Sequence, residues 1–145
     1  MISKADPEDL AGRIRELRAD PSNERIVRVP LAGQIVDGYL ITHNGLRVLP
    51  NDPGYVSLLQ SNRGCHEPQE EFLFQEVLPH IRPGGVILEL GAYWAFYSMW
   101  FAKVVPNARC YLVEPRQKNL RVGKANFATN GVKESSFVAR SARAF

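Results

Sequence analysis

Val86-Ile87-Leu88-Glu89-Leu90-Gly91 and Cys110-Tyr111-Leu112-Val113-Glu114-Pro115 share one pattern. Each is a short, β-prone apolar run that carries an acid near its C-terminal end and stops at a turn former. Neither alternates apolar with polar residues, as a strand with one wet face does. The pattern predicts strands buried on both faces, and such strands belong to parallel sheets. Between the two runs, Trp94–Val105 is apolar nearly all round and is expected to be a buried helix. After them, Gln117–Thr129 carries Leu120, Val122 and Phe127 among its apolar positions, and Asn130-Gly131 caps its end. Ser136-Phe137-Val138-Ala139 is a weaker third strand. The order β-α-β-α-β predicts an α/β fold: a partial doubly wound, Rossmann-like parallel sheet with right-handed crossovers.

Working toward the N-terminus, His66-Glu67-Pro68-Gln69-Glu70-Glu71 opens a helix, with Pro early and acids in the first turn. Phe72, Val77 and Leu78 are expected to face inward, with Phe74 at the margin; Pro79 and Arg82-Pro83-Gly84-Gly85 end the segment. Asp6-Pro7-Glu8-Asp9 is another helix start, followed by Leu10, Ile14 and Leu17 at helical spacing and closed by Asp20-Pro21. Residues 25–49 change period. Ile26–Val29, Gln34–Val36 and Tyr39–Thr42 are β-rich runs punctuated by Pro30, Gly33 and Gly38. Asn44-Gly45, between Leu40-Ile41-Thr42 and Leu46-Arg47-Val48, is a hairpin signal, and Pro50–Gly54 is a turn cluster. The expected organisation is a small helix plus antiparallel hairpin segment over residues 1–63, followed by the Rossmann-like part over residues 64–145.

The chain has 145 residues, 45% hydrophobic and 23% charged, with a net charge of +3. These values exclude a disordered chain and a collagen, and the length fits one domain of typical size better than two. Cys65 and Cys110 make no disulfide framework and no C-x-x-C, which favours a reducing compartment and a cytoplasmic protein. The N-terminus lacks the apolar core of a signal peptide. The longest near-apolar run, Ala92–Ala102, is about half of a membrane span, so no membrane is expected. Residues 116–145 hold seven basic residues and one acid, Glu134, which reads as a solvated helix face and a basic tail rather than a nucleic-acid site.

In sheets of this kind, ligands bind at the carboxyl ends of the strands. That places the turn Leu90-Gly91-Ala92-Tyr93-Trp94 and the pair Glu114-Pro115 at the site. An acid at the end of the second strand suits the two adjacent hydroxyls of a ribose, since one carboxylate can accept both. Glu89 is a charge in an apolar strand; burying it costs several kcal/mol unless it finds donors or a cation. A ligand ammonium or the N–H groups of the next turn would serve. The alternative is that Glu114 is a polar strand end and Glu89 a satisfied buried acid. A dinucleotide needs G-x-G-x-x-G for close approach of a pyrophosphate; here only Gly91 is present, with Tyr93 and Phe96 at the later positions. This disfavours NAD and FAD. S-adenosyl-L-methionine, which has a ribose, an ammonium group and no phosphate, matches the acids available.

Residues 84–131 resemble the first half of a class I S-adenosylmethionine-dependent methyltransferase, and within that class the FkbM-type family. The motif carrying the resemblance is Glu89-Leu90-Gly91-Ala92-Tyr93-Trp94-Ala95-Phe96-Tyr97-Ser98, followed by Val113-Glu114-Pro115 and Asn130-Gly131. Cys65-His66-Glu67-Pro68 is similar to the family's helix entry. Tyr93 stands where the family usually has Asn, and Ala95 where it usually has Gly. Tyr93 and Trp94 have two readings, packing against the cofactor or joining the core. Alanine at 95 is tolerated if the backbone there has negative φ. The resemblance implies methyl transfer to an oxygen of a sugar or natural-product hydroxyl. It implies that Glu114 holds the ribose, that Glu89 orients the loop and the cofactor's amino group, and that backbone at Gly91, Ala92 and Tyr93 faces the methionine part, with Trp94 and Pro115 beside it.

A complete doubly wound fold has six or seven strands, and the stretch from Val86 onward has room for three. The expected chain is a truncated methyltransferase, a fragment, or a half-fold completed by another chain. A free edge on the first strand favours association, so a homo-oligomer is expected, with a small-molecule acceptor as substrate. The catalytic base is unassigned. His43, His66 and His80 read as structural, and no metal-ligand spacing is present. The competing reading is a non-catalytic nucleoside-binding or dimerisation module derived from a methyltransferase.

Overall fold

The computed structural model describes residues 7–133 and 137–141. They form two compact units. The first runs to Gly45 and again from Pro50 to Val77; the second comprises Leu46–Leu49 and the chain from Leu78 on. The boundary expected between residues 63 and 64 falls inside the first unit.

In the first unit, α1 (Pro7–Ala19) is followed at once by α2 (Pro21–Arg25). Asp20 ends one helix and starts the next: its side chain accepts from the N–H of Ser22 at 2.8 Å, and Pro21 takes the first helical position. The cap expected at Asp6 lies outside the described residues. β1 (Ile35–Val36) and β2 (Tyr39–Ile41) pair antiparallel, with Val36 opposite Tyr39. Their link is Asp37-Gly38, with φ of +50° and +80°. A two-residue turn with both φ values positive is the hairpin connection that matches strand twist. Asn44-Gly45 also forms a turn, closed by Gly45 N–H to Thr42 O at 3.0 Å. Ile26–Val29 forms no strand; Val29 N–H makes a single bond, to His43 O.

α3 (Pro53–Ser61) occupies part of the stretch expected to be only a turn. Asp52 caps it by accepting from Tyr55 N–H at 3.1 Å. α4 (Pro68–Val77) packs with α2. The inward positions expected on α4 need correction. Leu78 is buried as expected, but Val77 is 51% exposed, and the fully buried side chains of α4 are Pro68 and Glu71.

The second unit contains β3 (Arg47–Val48), a 3-10 turn at Leu78–His80, and the run β4 (Val86–Leu90), α5 (Phe96–Val104), β5 (Arg109–Glu114), α6 (Gln117–Thr129), β6 (Phe137–Ser141). The last three strands form a parallel sheet in the order β4-β5-β6, with Leu88 opposite Tyr111 and Tyr111 opposite Val138. This is the predicted α/β architecture. α5 packs on β4 and β5, and α6 on β5 and β6. The end of α6 is as expected: Gly131 N–H reaches Ala128 O and Val132 N–H reaches Phe127 O, the double bond of a Schellman cap.

Burial of both strand faces is not observed. On β4, Leu88 is 61% and Leu90 71% exposed, and Val86, Tyr111 and Val138 on the same face are also exposed. The reason is topological. Both crossovers step in the same direction, so connections of one hand place α5 and α6 on one face. That face carries Glu89, Cys110, Leu112, Glu114 and Ala139. No helix of the described second unit covers the other.

Candidate functional site

The strand register brings the two predicted acids together. Glu89 lies opposite Leu112, and Glu114 follows Leu112 by two residues, so both carboxylates project from the helix-covered face at the carboxyl ends of adjacent strands. Between them runs the loop 91–95. Gly91 and Ala92 both donate their N–H to Val113 O, at 2.7 and 3.1 Å, which turns the chain sharply back over β5. The loop then passes through three left-handed residues, Gly91 (φ +73°), Tyr93 (φ +42°) and Ala95 (φ +67°). The condition under which alanine at 95 costs little, a negative φ, is therefore not met. Ala95 carries a strained backbone of the kind that Asn and Gly adopt with less cost.

Glu89 accepts from Ser98 N–H at 3.0 Å. Ser98 is in the first turn of α5, whose N-cap residue Ala95 offers no side-chain acceptor. Glu89 thus caps the helix from the neighbouring strand and places a negative charge at its N-terminus, where the helix dipole favours it. Burial, with the charge of the same carboxylate beside it, pushes the Cys110 thiol up to about 12, so this cysteine stays protonated at neutral pH.

Glu114 is 4% exposed. Its Oε2 accepts from Tyr93 N–H at 3.0 Å; its Oε1 accepts from Arg116 N–H at 2.8 Å and from Asn119 Nδ2 at 3.3 Å. A carboxylate has about four acceptor positions, and three are taken by the chain itself. One remains for a ligand hydroxyl, so holding both hydroxyls of a ribose requires the release of one of these donors. Asn119 Nδ2, at the longest distance, is the one held least closely.

Of the other predicted residues, Gly91 and Pro115 are exposed, Tyr93 is half-buried and Ala92 is buried. Trp94 belongs to the core: it is buried and its ring lies 5.1 Å from that of Phe96. Its carbonyl accepts from Nδ2 of Asn126 at 3.1 Å, and Oδ1 of Asn126 accepts from Leu49 N–H at 3.0 Å. Asn130 brackets the backbone of Arg47, accepting from its N–H at 2.9 Å and donating to its O at 2.7 Å. α6 therefore holds β3 with one amide pair and anchors the site loop with one of the two. Asn119 and Asn126, seven residues apart on the helix, were not anticipated. The available signal was a polar residue recurring on an otherwise apolar stripe.

The described residues contain no cluster of His, Cys, Asp or Glu arranged to hold a metal ion, and no helix long and apolar enough to cross a membrane. No protein-family model matches the chain, and no curated protein matches it. Among solved structures, the chain is similar to an O-methyltransferase from Bacillus cereus crystallised with SAH (18% identity, TM-score 0.42, 52% of this chain and 33% of that one). It is also similar to a ribosomal protein L11 methylase from Lactobacillus delbrueckii subsp. bulgaricus (15% identity, TM-score 0.41, 52% and 38%). A protein-L-isoaspartate O-methyltransferase aligns over 92% of this chain and 42% of its own, at 17% identity and TM-score 0.44. The chain spans between a third and a half of the length of these three structures.

Proposed function

We propose that the second unit is the cofactor half of a methyltransferase that takes S-adenosyl-L-methionine. The observation that carries this reading is the Glu89 cap on α5. In a dinucleotide site of this architecture, a pyrophosphate occupies the N-terminus of the helix after the first strand. Here a carboxylate occupies that position and Ser98 N–H is already donated to it. A pyrophosphate would meet like charge; an ammonium group would be attracted. A cofactor with a ribose, an ammonium and no phosphate suits Glu89 and Glu114 together.

S-adenosylmethionine supplies an electrophilic methyl on a sulfonium, which an acceptor hydroxyl displaces in line. In this reading Glu114 takes one ribose hydroxyl in its open acceptor position and the second when Asn119 Nδ2 withdraws. Glu89 orients the ammonium. The backbone of Gly91, Ala92 and Tyr93 lies along the methionine part, and exposed Pro115 borders the adenosine. Positioning is the main contribution these residues make. The resemblance of residues 89–98 and 113–115 to the FkbM-type family favours a sugar or small natural-product hydroxyl as acceptor. The second reading, a non-catalytic module, is favoured by one fact: Glu114 already spends three acceptor positions on its own chain.

Calorimetric titration of the 145-residue chain with S-adenosylmethionine, its demethylated product and NAD separates the readings. The expected result is binding of the first two and none of NAD. Glu114→Gln, which keeps the shape and removes the charge, should weaken binding by roughly tenfold or more, the scale of one charge-assisted hydrogen bond. Binding of NAD, or of none of the three, would sink the cofactor reading.

A further inference from the structure

Asn119, Gly123 and Asn126 of α6, with Asn130 at its C-cap, lie along one stripe at helical spacing, and each meets a different part of the second unit. Asn119 Nδ2 donates to Glu114, and Asn130 brackets the backbone of Arg47. Between them, Gly123 and Asn126 meet the loop 91–95. A Cβ at Gly123 would stand 3.3 Å from Tyr93 O and 3.3 Å from Ala95 Cβ, so the missing side chain sets how closely helix and loop approach. Asn126 is fully buried and uses both ends of its amide: Nδ2 donates to Trp94 O at 3.1 Å, and Oδ1 accepts from Leu49 N–H at 3.0 Å.

An amide side chain can be turned end for end, but here one orientation alone satisfies its partners. Leu49 N–H requires an acceptor, so Oδ1 faces it and Nδ2 faces the loop. The segment after β3 thereby aims the donor. Its target lies between two strained residues: Tyr93 (φ +42°) and Ala95 (φ +67°) flank Trp94. Left-handed backbone at residues other than glycine persists only where the surroundings hold it. Gly91 and Ala92 tie the start of the loop to β5 through Val113 O, and Asn126 ties its end to α6. Opening that end would leave a buried donor without an acceptor, which opposes the opening. Tyr93, beside Trp94, is the residue whose N–H reaches Glu114 Oε2 at 3.0 Å. Where Trp94 O is held therefore decides where Tyr93 N–H points.

We infer that Asn126 is a positioning residue of the loop 91–95: its amide, oriented by Leu49, holds Trp94 O against α6 and so keeps Tyr93 N–H aimed at Glu114, with Gly123 giving the clearance. The working unit around the loop thus includes residues 46–49, far ahead of Val86 in the chain, and not only the β-α-β-α-β run. That this loop faces a cofactor rests on the reading proposed above; that Asn126 holds it does not. Asn130 provides the comparison. It grips β3 through the same kind of amide, and its side chain bonds to Arg47, Met99 and the backbone of Asn126 and not to the loop.

The test is amide hydrogen exchange in the 145-residue chain, read at Tyr93 N–H and compared with the amides of β5, which report opening of the sheet. Asn126→Asp keeps the acceptor for Leu49 and removes the donor to Trp94 O. Tyr93 exchange should then quicken roughly tenfold more than that of β5, the scale of one lost buried hydrogen bond. Asn130→Ala should quicken both alike. Gly123→Ala favours the helix but crowds the loop, so Tyr93 should quicken while β5 does not. The proposal is overturned if Asn126→Asp quickens Tyr93 no more than β5, if Asn130→Ala shows an equal selective loss, or if Tyr93 keeps its wild-type protection in Gly123→Ala. If Asn126→Asp does not fold, Asn126→Ala, which buries no charge, is set against Asn130→Ala on the same terms. Calorimetric affinity for S-adenosylmethionine should fall roughly tenfold where Tyr93 protection is selectively lost and hold in Asn130→Ala, again the scale of one hydrogen bond. An affinity indifferent to that protection would overturn the positioning role. A wild type that binds no S-adenosylmethionine sinks the cofactor reading, and the exchange comparison still decides whether Asn126 holds the loop.

Discussion

Glu71 is the residue on which the first unit turns. It is fully buried, and its two oxygens gather four groups. Oε2 lies 3.0 Å from His43 Nε2; Oε1 lies 2.5 Å from His66 Nδ1 and accepts from the N–H groups of His66 and Glu67 at 2.8 and 2.9 Å. The last two bonds satisfy donors at the start of α4, as a reach-back acid does in a capping box. Beside it, Gly64 lets two backbones meet. Gly64 O accepts from His43 N–H, and a Cβ on Gly64, whose φ is +81°, would stand 2.5 Å from His43 N and 2.7 Å from the carbonyl carbon of Thr42. Neither atom can yield as a side chain would. Gly64→Ala is expected to lower stability by about 3 kcal/mol, from left-handed backbone strain and overpacking together. Chemical denaturation measures it. A loss below about 1 kcal/mol would show that the two segments are free to separate.

At the scale of elements, the sequence holds three Asp-Pro pairs, and the two among the described residues, Asp20-Pro21 and Asp52-Pro53, open α2 and α3. Proline's fixed φ and missing N–H suit the first helical position, and the aspartate before it can accept from a free N–H of the first turn. The sequence reading used this rule at residue 6, treated the pair at 20 only as a stop, and placed the pair at 52 in a turn. α2 and α3 were missed for that reason, although the signal was present. Asp52→Ala should cost about 1 kcal/mol through loss of the Tyr55 N–H bond, measured as a shift in the urea midpoint at constant slope. An unchanged midpoint would mean that water replaces the cap. The turn expected at Asn44-Gly45 is present, while Asp37-Gly38, a signal of the same kind that was passed over, makes the β1–β2 connection.

At the scale of the whole molecule, the buried His–Glu cluster sets a pH profile for stability. Burial by itself lowers the His66 pKa, but the charge of Glu71, with hydrogen bonds to Glu67 and Glu71, overrides it and pushes it up to about 9. Burial likewise favours the neutral form of Glu71, and the His66 charge with bonds from His43 and His66 holds its carboxyl well below the usual range. A raised folded-state value means that the native protein binds more protons than the unfolded chain between pH 6.5 and about 9. Stability from His66 is therefore fully present below pH 6.5 and is lost as pH climbs toward 9. The Glu71 contribution has the opposite sense: it is present above its ordinary value of 4.5 and is lost in acid. Thermal midpoints measured from pH 3 to 10 should peak between these limits, by the linkage of protonation to folding. His66→Gln should remove the alkaline fall; a profile still falling in that variant would assign the effect to other groups.

The sequence by itself determined what depends on local chemistry. β5 and α6 lie where their apolar spacing put them, with α6 ending at Asn130-Gly131, and the β-α-β-α-β order gave a parallel sheet with both acids at its carboxyl end. These follow from side-chain periodicity and turn preference, which neighbours in the chain decide. The tertiary structure alone decided what each acid does. Glu89 serves as the cap of α5 because the crossover returns that helix over its own strand, and Glu114 is drawn into the loop because Gly91 turns sharply back over β5. It also decided that, among the described residues, no helix covers the second face of β4, since burial on a second face needs layers that come from elsewhere in space. The left-handed backbone at Tyr93 and Ala95 was likewise invisible in the residues, because packing against β5 and α6, and not local preference, holds that loop in place.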